Sequence, residues 1–410
     1  MQSTDIVVVG AGVIGLSVAY QLALRTSDRI LVLEKGAGLG EGSTGASSAV
    51  CRFRYSRDEM VELAKDGIRA YRNWSDFLEL TAPVARFHQT GVIWLGGGIG
   101  SSAEVARLQR LGVAATLLDD ADVQDNFPAL SPCTIPPDLL AGEPHECRSG
   151  ERYILESEGG YIEPTDALQD LLTAVRNNGV EVQFGARVTG IETISDRVAG
   201  VTLADGSGYA CGLVVNASGP WCNQLLAKVG LADRWPLRPT RIQMAQFDMP
   251  PHLPGSMPVC ADLAGGIYFR TQGQRKHIIV GSVLPEDERE TVDDPDEFDR
   301  SADDSFVRSK LHAVQHRMPS IGPLRGVRGY SGLYTMNWAD VHPIVGETPL
   351  GGFFVANGCS GHGFKLAPAI GSLIAQAIAG SKHAFDTAVP RTFLSFDRRP
   401  IELAQQSVLA

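Results

Sequence analysis

The sequence predicts an α/β fold that opens with a strand, a glycine turn, a helix and a second strand, and three observations carry that reading. Residues 5–9 form a short apolar, β-branched run, the pattern of a strand buried on both faces. Residues 13–24 continue with Ile14, Val18 and Leu22 at helical spacing, and residues 29–34 read as the second strand. Between strand and helix stands Gly10-Ala11-Gly12-Val13-Ile14-Gly15, a GxGxxG run in the setting that gives it meaning.

That turn predicts a Rossmann-like dinucleotide site. Gly10 permits the tight turn, Gly12 lets the backbone approach a pyrophosphate, and Gly15 lets the helix pack on the strand. The phosphates then face unpaired N–H groups at the helix N-terminus, where the dipole favours an anion. Glu34, followed by Lys35, lies 19 residues after Gly15, placed to accept a hydrogen bond from a ribose hydroxyl.

Further along, residues 58–80 are expected as a helix with Met60, Leu63, Ile68, Tyr71, Trp74 and Phe77 on its apolar face, ended by Pro83. A strand follows at 91–95, then an irregular, proline-containing stretch, 103–147, expected to belong to another domain. The turn at 159–164 leads into a helix over 165–177, and strands are expected at 180–184, 187–191 and 213–216. The last of these ends in Ala217-Ser218-Gly219-Pro220-Trp221, at the sheet edge where ligands collect in open α/β folds. Residues 237–283 alternate like strands, notably 241–247 and 266–270, whereas 286–300 is acidic and expected to be solvated. A helix at 304–318, a strand at 352–356, a glycine-rich turn at 357–363 and a helix at 365–378 complete the pattern.

Composition narrows the function classes. A chain of 410 residues with 44% hydrophobic content can bury a sizeable core and suggests two or three units. The net charge of -11 disfavours nonspecific binding to nucleic acid or anionic membranes. No apolar run approaches the roughly 18–20 residues of a transmembrane span, and no signal-type start is seen, so a cytoplasmic location is expected. The seven cysteines are scattered, odd in number and without a CxxC pair. Neither a disulfide framework nor a metal site is expected.

Several remote segments share a resemblance. The run Gly42-Ser43-Thr44-Gly45-Ala46-Ser47-Ser48, the Glu163-Pro164 turn, Asn216-Ala217-Ser218-Gly219 with Trp221, and Gly358-Cys359-Ser360-Gly361-His362-Gly363-Phe364-Lys365 resemble the D-amino-acid oxidase superfamily of flavoproteins. Within it they resemble the sarcosine oxidase and dimethylglycine dehydrogenase branch, as do Arg52-Phe53-Arg54-Tyr55 and Gly332-Leu333-Tyr334-Thr335 with His342-Pro343. The resemblance implies FAD as cofactor. It also implies a discontinuous FAD-binding domain, assigned to 1–83, 148–222 and 325–390, and an α+β, mixed-sheet substrate domain from 84–147 and 223–324, with 391–410 as a C-terminal tail.

By the same resemblance, the cofactor contacts beyond the first turn are expected at Gly42, Ser43, Thr44, Ser47, Ser48, Arg187, Val188, Ala217, Ser218, Gly219, Trp221, Gly332, Tyr334, Gly361, His362, Gly363, Phe364 and Lys365. Backbone N–H groups at the 361–363 turn would stabilise negative charge on the reduced flavin. Arg52 and Lys365 are expected to pair with a substrate carboxylate, with Tyr55, Tyr268 and Tyr334 beside them; Arg52, Tyr334 and Lys365 are the expected catalytic set. Arginine offers a planar fork and lysine a point charge, and a cation at a helix N-terminus opposes the dipole, which suggests an anionic partner. His342 reads as structural.

The activity implied is oxidation of the C–N bond of a small amino acid or N-alkyl amino acid, with hydride passing to flavin N5 and the imine hydrolysing. Two departures matter. Gly332 stands where sarcosine oxidases carry a flavin-linking cysteine, and 42–48 holds no histidine, so FAD is expected to be noncovalent. No lysine stands at 265–266, where that branch places its oxygen-activating cation, so a quinone or an electron-transfer flavoprotein is weighed against O2 as acceptor. The alternatives are a 2-hydroxy-acid dehydrogenase, with His362 the only motif histidine to serve as base, and a noncatalytic flavoprotein acting as an assembly factor or complex subunit.

Overall fold

The computed structural model describes residues 2–98, 100–139, 146–254 and 257–403. The first apolar run becomes the strand Ile6–Val9, every residue of it buried, inside a six-stranded sheet. Its order is Ile344–Glu347, Phe353–Asn357, Leu213–Asn216, Ile6–Val9, Ile30–Leu33, Glu181–Gln183. Only the edge pair Ile344–Glu347 with Phe353–Asn357 is antiparallel.

Period-two alternation splits these strands between two cores. Ile6, Val8, Ile30 and Val32 pack with the helices Val13–Ala23, Asp58–Arg72, Pro164–Asn177 and Gly363–Ala379. Val7, Val9, Leu31 and Leu33 face the other way, against Val188, Ile191 and Val201 of a four-stranded sheet. Burial on both faces is why the sequence reads as a continuous apolar run rather than an alternating one.

An eight-stranded sheet forms the second layer system. Its order is Arg328–Asn337, Leu237–Asp248, His277–Ser282, Ile267–Gln272, Val259–Asp262, Val92–Leu95, Tyr153–Glu156, Ala115–Leu118. It is antiparallel except where Val259–Asp262 meets Val92–Leu95, and the helix Asp304–Arg317 covers its core. Two of its strands, Tyr153–Glu156 and Arg328–Asn337, come from segments that the sequence assigns to the cofactor domain. They pair with Val92–Leu95 and Leu237–Asp248 respectively.

The helix expected over 58–80 is two, Asp58–Arg72 and Trp74–Leu78, broken at Asn73 with φ -114° and ψ 42°. The stretch at 103–147 is more regular than expected, with helices Ser102–Arg110 and Asp120–Asn126 flanking Ala115–Leu118. Pro368 lies inside Gly363–Ala379 and cannot donate to the carbonyl four residues earlier, Phe364. The Tyr71 hydroxyl donates to that carbonyl at 2.7 Å and ties the two helices together. Among the described residues no helix is long and apolar enough to cross a membrane.

Candidate active site

A cavity of about 560 Å³ runs from the Gly10–Ile14 turn and Glu34 to Gly361, Gly363 and Phe364. Two helices, Val13–Ala23 and Gly363–Ala379, begin on its wall, and neither is capped by the side chain of its own N-cap residue, although Thr44 Oγ1 accepts from the Val13 N–H at 3.2 Å. Their N-terminal N–H groups and dipoles therefore favour negative charge within it. The first turn is tight for a stated reason. Gly10 has φ +105°, and a Cβ on Gly15 would stand 1.9 Å from the Gly10 carbonyl oxygen.

The wall is also chemically incomplete by itself. Ser43 Oγ and Asn357 Nδ2 are buried on it with no hydrogen-bond partner among the described residues. A ligand rich in polar atoms would complete them. Glu34 accepts from the N–H of Ala11 at 2.8 Å and of Gly36 at 2.7 Å, which fixes its carboxylate while leaving lone pairs for a ribose. At the same end the Lys35 ammonium lies 3.5 Å from the Trp221 ring centroid, and Asp296 gathers Lys35, Arg187 at 2.7 Å and Trp221 Nε1 at 3.1 Å. These features fit a dinucleotide such as FAD.

All the residues expected to touch the cofactor line this cavity except Gly15, Ser48, Gly332, His362 and Lys365. Gly15 serves packing, as its glycine role requires. Gly332 is turned to Ala46, whose Cβ would lie 2.6 Å from an added Cβ. His362 is buried and stacked on Tyr55 at 5.2 Å between centroids, and its pKa lies well below the ordinary value because of burial and the nearby cations Lys365 and Arg52. Both its ring nitrogens are buried with no hydrogen-bond partner among the described residues. Arg300 and Gln224 join the wall without having been singled out in the sequence, and so do Asn357, Thr335 and Cys359, which it places in motifs or turns but not among the expected cofactor contacts. Arg300 and Asp296 lie in the acidic segment expected to be merely solvated.

Ser48 and Lys365 belong to a second, smaller chamber of about 80 Å³ that shares Ser47, Tyr334, Gly361 and Phe364 with the first. Arg52 and Lys365 both line it, and both are buried. Lys365 is placed by the helix Asp58–Arg72, which approaches so closely that a Cβ on Gly67 would stand 2.0 Å from the Lys365 carbonyl oxygen. Burial first and the charge of Arg52 second push the Lys365 ammonium down to about 7.

Arg52 is held from below. Its guanidinium lies over the Tyr55 ring at 4.1 Å and donates to the Arg54 carbonyl. The loop that carries it is pinned by buried Glu156, which accepts from the N–H of Phe53 at 2.8 Å and of Arg54 at 2.7 Å and from Trp94 Nε1 at 3.2 Å. Tyr55 thus supports Arg52 and lines neither cavity. Arg54 is turned to Glu104, 3.4 Å away.

Tyr268 and Tyr334 do meet in the small chamber. The Tyr268 hydroxyl donates to Ser48 Oγ at 3.2 Å, and Tyr334 packs so tightly on Gly361 that a Cβ there would stand 2.6 Å from the ring. The chamber is also lined by groups that no motif announced: Trp94, Gln243, Asp287, Glu288 and Phe306. Glu288 is buried, a correction to the expectation that 286–300 is solvated, because the turn Pro285–Glu288 directs it inward. The position at 265–266 has no lysine of its own, yet buried Lys310 brings its ammonium 3.4 Å from the Gly266 carbonyl oxygen and pairs with Asp287 at 2.7 Å. His342 is buried outside both cavities, with Nδ1 2.6 Å from the Asp340 carbonyl oxygen.

Comparison with known proteins agrees with this geometry. The family model described as FAD dependent oxidoreductase (DAO) matches residues 5–377. The chain is 28% identical to human peroxisomal sarcosine oxidase over 402 residues, covering 94% of each, and 27% identical to bovine FAD-dependent oxidoreductase domain-containing protein 1, covering 92% of this chain and 81% of the relative. Among solved structures it is similar to L-proline dehydrogenase from P. horikoshii, with a TM-score of 0.79 at 22% identity, covering 96% of this chain and 97% of that one. Glycine oxidase from Geobacillus kaustophilus gives 0.75, also at 22% identity, covering 97% and 100%. An elongated cavity fed by two helix N-termini, opening on a cationic chamber, is thus set in a chain that belongs to the DAO family of FAD-dependent oxidoreductases.

Proposed function

We propose that this enzyme oxidises the C–N bond of a small amino acid or N-alkyl amino acid. The observation that carries the reading is the pairing of Arg52 and Lys365 in one chamber of about 80 Å³ beside the cofactor cavity. FAD held in the adjoining cavity would supply the two-electron acceptor, with hydride transfer to N5 as the chemistry proposed. The chain's own residues bind and orient. Arg52 offers its planar fork to the substrate carboxylate, and Lys365 adds a charge whose cost of burial the same carboxylate offsets. A carboxylate clamped there fixes the neighbouring carbon in one attitude, which is where much of the rate acceleration originates. Tyr334 closes the junction between the chambers, and the amine binds unprotonated, so no strong base is required.

A 2-hydroxy acid is less well served. It needs a base near its hydroxyl, and His362 lines neither cavity. A noncatalytic role would leave two buried cations facing an unused chamber. Noncovalent FAD is supported by Cys359, the cavity's one cysteine among the described residues, whose thiol burial pushes up to about 12. Acid precipitation should therefore release yellow FAD into the supernatant. Lys310 reaches the Gly266 carbonyl oxygen but lines neither cavity, and Asp287 balances its charge. We read the acceptor as a quinone or an electron-transfer flavoprotein; rapid stoichiometric peroxide formation in air would sink that part. Replacing Arg52 with Ala should raise KM for a carboxylated amine far more than for its uncharged analogue, and equal effects would refute the clamp.

A further inference from the structure

Away from both cavities, three segments remote in sequence meet beside the helix Asp304–Arg317. Cys133 follows the helix Asp120–Asn126, Cys147 precedes the strand Tyr153–Glu156, and His316 lies in the last turn of Asp304–Arg317. One donor atom from each, the two sulfurs and a ring nitrogen, lies within 4.8 Å of the other two. We propose that Cys133, Cys147 and His316 form a binding site for a thiophilic divalent cation, Zn²⁺ by the chemistry of its donors.

Four-coordinate zinc with bonds of about 2.0–2.3 Å holds its donors roughly 3.5–3.8 Å apart, so a shift of about 1 Å or less closes this cluster on the ion. Two thiolates and one imidazole are donors that suit zinc, whereas magnesium and calcium take oxygen. The donors do not converge by accident of loose chain, because each segment is tied to its neighbour. Thr134 donates its N–H to the Arg148 carbonyl at 2.8 Å, linking the two cysteine segments. Ser131 donates to the Arg317 carbonyl at 2.8 Å, and Arg317 Nη2 donates to the Cys133 carbonyl at 3.0 Å. Arg317 is itself locked by a buried pair with Asp262, at 2.7 and 2.8 Å.

This is the outer support that a metal site needs to hold its ligands in place. Access is graded: Cys133 is buried, His316 half-buried and Cys147 exposed, so an ion enters past Cys147. A disulfide between the cysteines is the competing use of the same sulfurs, but it makes no use of the imidazole that lies within 4.8 Å of both. No CxxC spacing announces the site, which is why the sequence pointed away from metal. Its structural effect is to tie Cys133 and Cys147 to a helix whose other end carries Phe306 on the wall of the substrate chamber.

The test uses the full FAD-loaded protein, reduced and stripped with a chelator, then titrated with ZnCl₂ against a chromogenic zinc indicator. One equivalent should bind. Cys147→Ser and His316→Gln, at the exposed and half-buried positions, should each weaken binding by more than the roughly 10–100-fold that losing an outer partner costs, with the flavin spectrum unchanged. Co²⁺ in place of Zn²⁺ should give a thiolate charge-transfer band that Cys147→Ser removes. Absence of tight binding by the reduced wild type, or undiminished affinity in either variant, overturns the proposal. Binding lost in Cys147→Ser but kept in His316→Gln would remove the imidazole from the site and likewise overturn the proposal.

Discussion

Lys365 offers a quantitative handle on the carboxylate clamp. In the ligand-free protein, burial and Arg52 push its ammonium down to about 7 from an ordinary 10.5. A carboxylate seated against it favours the charged form, so above pH 7 binding must draw a proton from solvent. Affinity should then fall by up to about tenfold, or 1.4 kcal/mol, per pH unit. Acetate is a suitable probe because it fits a small chamber and has no amine to titrate. Followed by perturbation of the flavin bands, its Kd should weaken by up to ~100-fold over about two pH units above neutrality. Proton uptake should appear in calorimetry as a dependence of the binding heat on buffer. In Lys365→Met both effects should vanish, leaving the weaker, pH-independent hold of Arg52. The folded state pays for the charged ammonium below pH 7, and that penalty fades between pH 7 and 10.5. Lys365→Met should therefore stabilise the ligand-free fold by up to a few kcal/mol at mildly acidic pH and by progressively less as pH rises. Acetate affinity flat from pH 7 upward in the wild type, or equally steep in Lys365→Met, would refute the reasoning.

Two further expectations rest on single contacts. Tyr71→Phe strips the partner from the Phe364 carbonyl that Pro368 leaves exposed inside the fold, which should cost about 1–3 kcal/mol in urea unfolding; a loss well below 1 would show that the carbonyl finds another donor. Gly361 has φ +81°, and an added Cβ would stand 2.6 Å from the Tyr334 ring, so Gly361→Ala should displace that ring and lower FAD retention on gel filtration. Full retention with unchanged flavin spectra would remove Tyr334 from the cofactor's wall.

The legible parts of this chain were those where chemistry dictates local pattern. Ile6 to Val9 must be apolar throughout because both faces of a parallel strand are covered, and Gly10 and Gly15 are forced by a positive φ and a backbone contact of 1.9 Å. The C-terminal helix was equally plain, since its buried face is long. Arg52 and Lys365, 313 positions apart, were reached through a family resemblance, and the fold brings them to one small chamber. What stayed hidden depends on tertiary pairing. Glu156, which pins the Arg52 loop, sits in a strand whose period-two pattern gives a carboxylate no reason to be buried until Phe53, Arg54 and Trp94 surround it. Lys310 reaches the Gly266 carbonyl from a helix over 40 positions later, so inspecting 265–266 alone could not find it. Strands Tyr153–Glu156 and Arg328–Asn337 find sheet partners far away in sequence, so no local pattern announces their pairing.

The central claim is that the chamber beside the cofactor takes a carboxylated amine and delivers its electrons to FAD. Anaerobic mixing of the FAD-loaded protein with amino acids, N-methyl amino acids, uncharged amines and 2-hydroxy acids, followed by bleaching of the flavin bands, tests it directly. Rapid bleaching by a small amino acid or N-alkyl amino acid, with its decarboxylated or amidated analogue far slower, is the expected result. Bleaching by 2-hydroxy acids alone, or flavin that no carboxylated amine reduces, would contradict it.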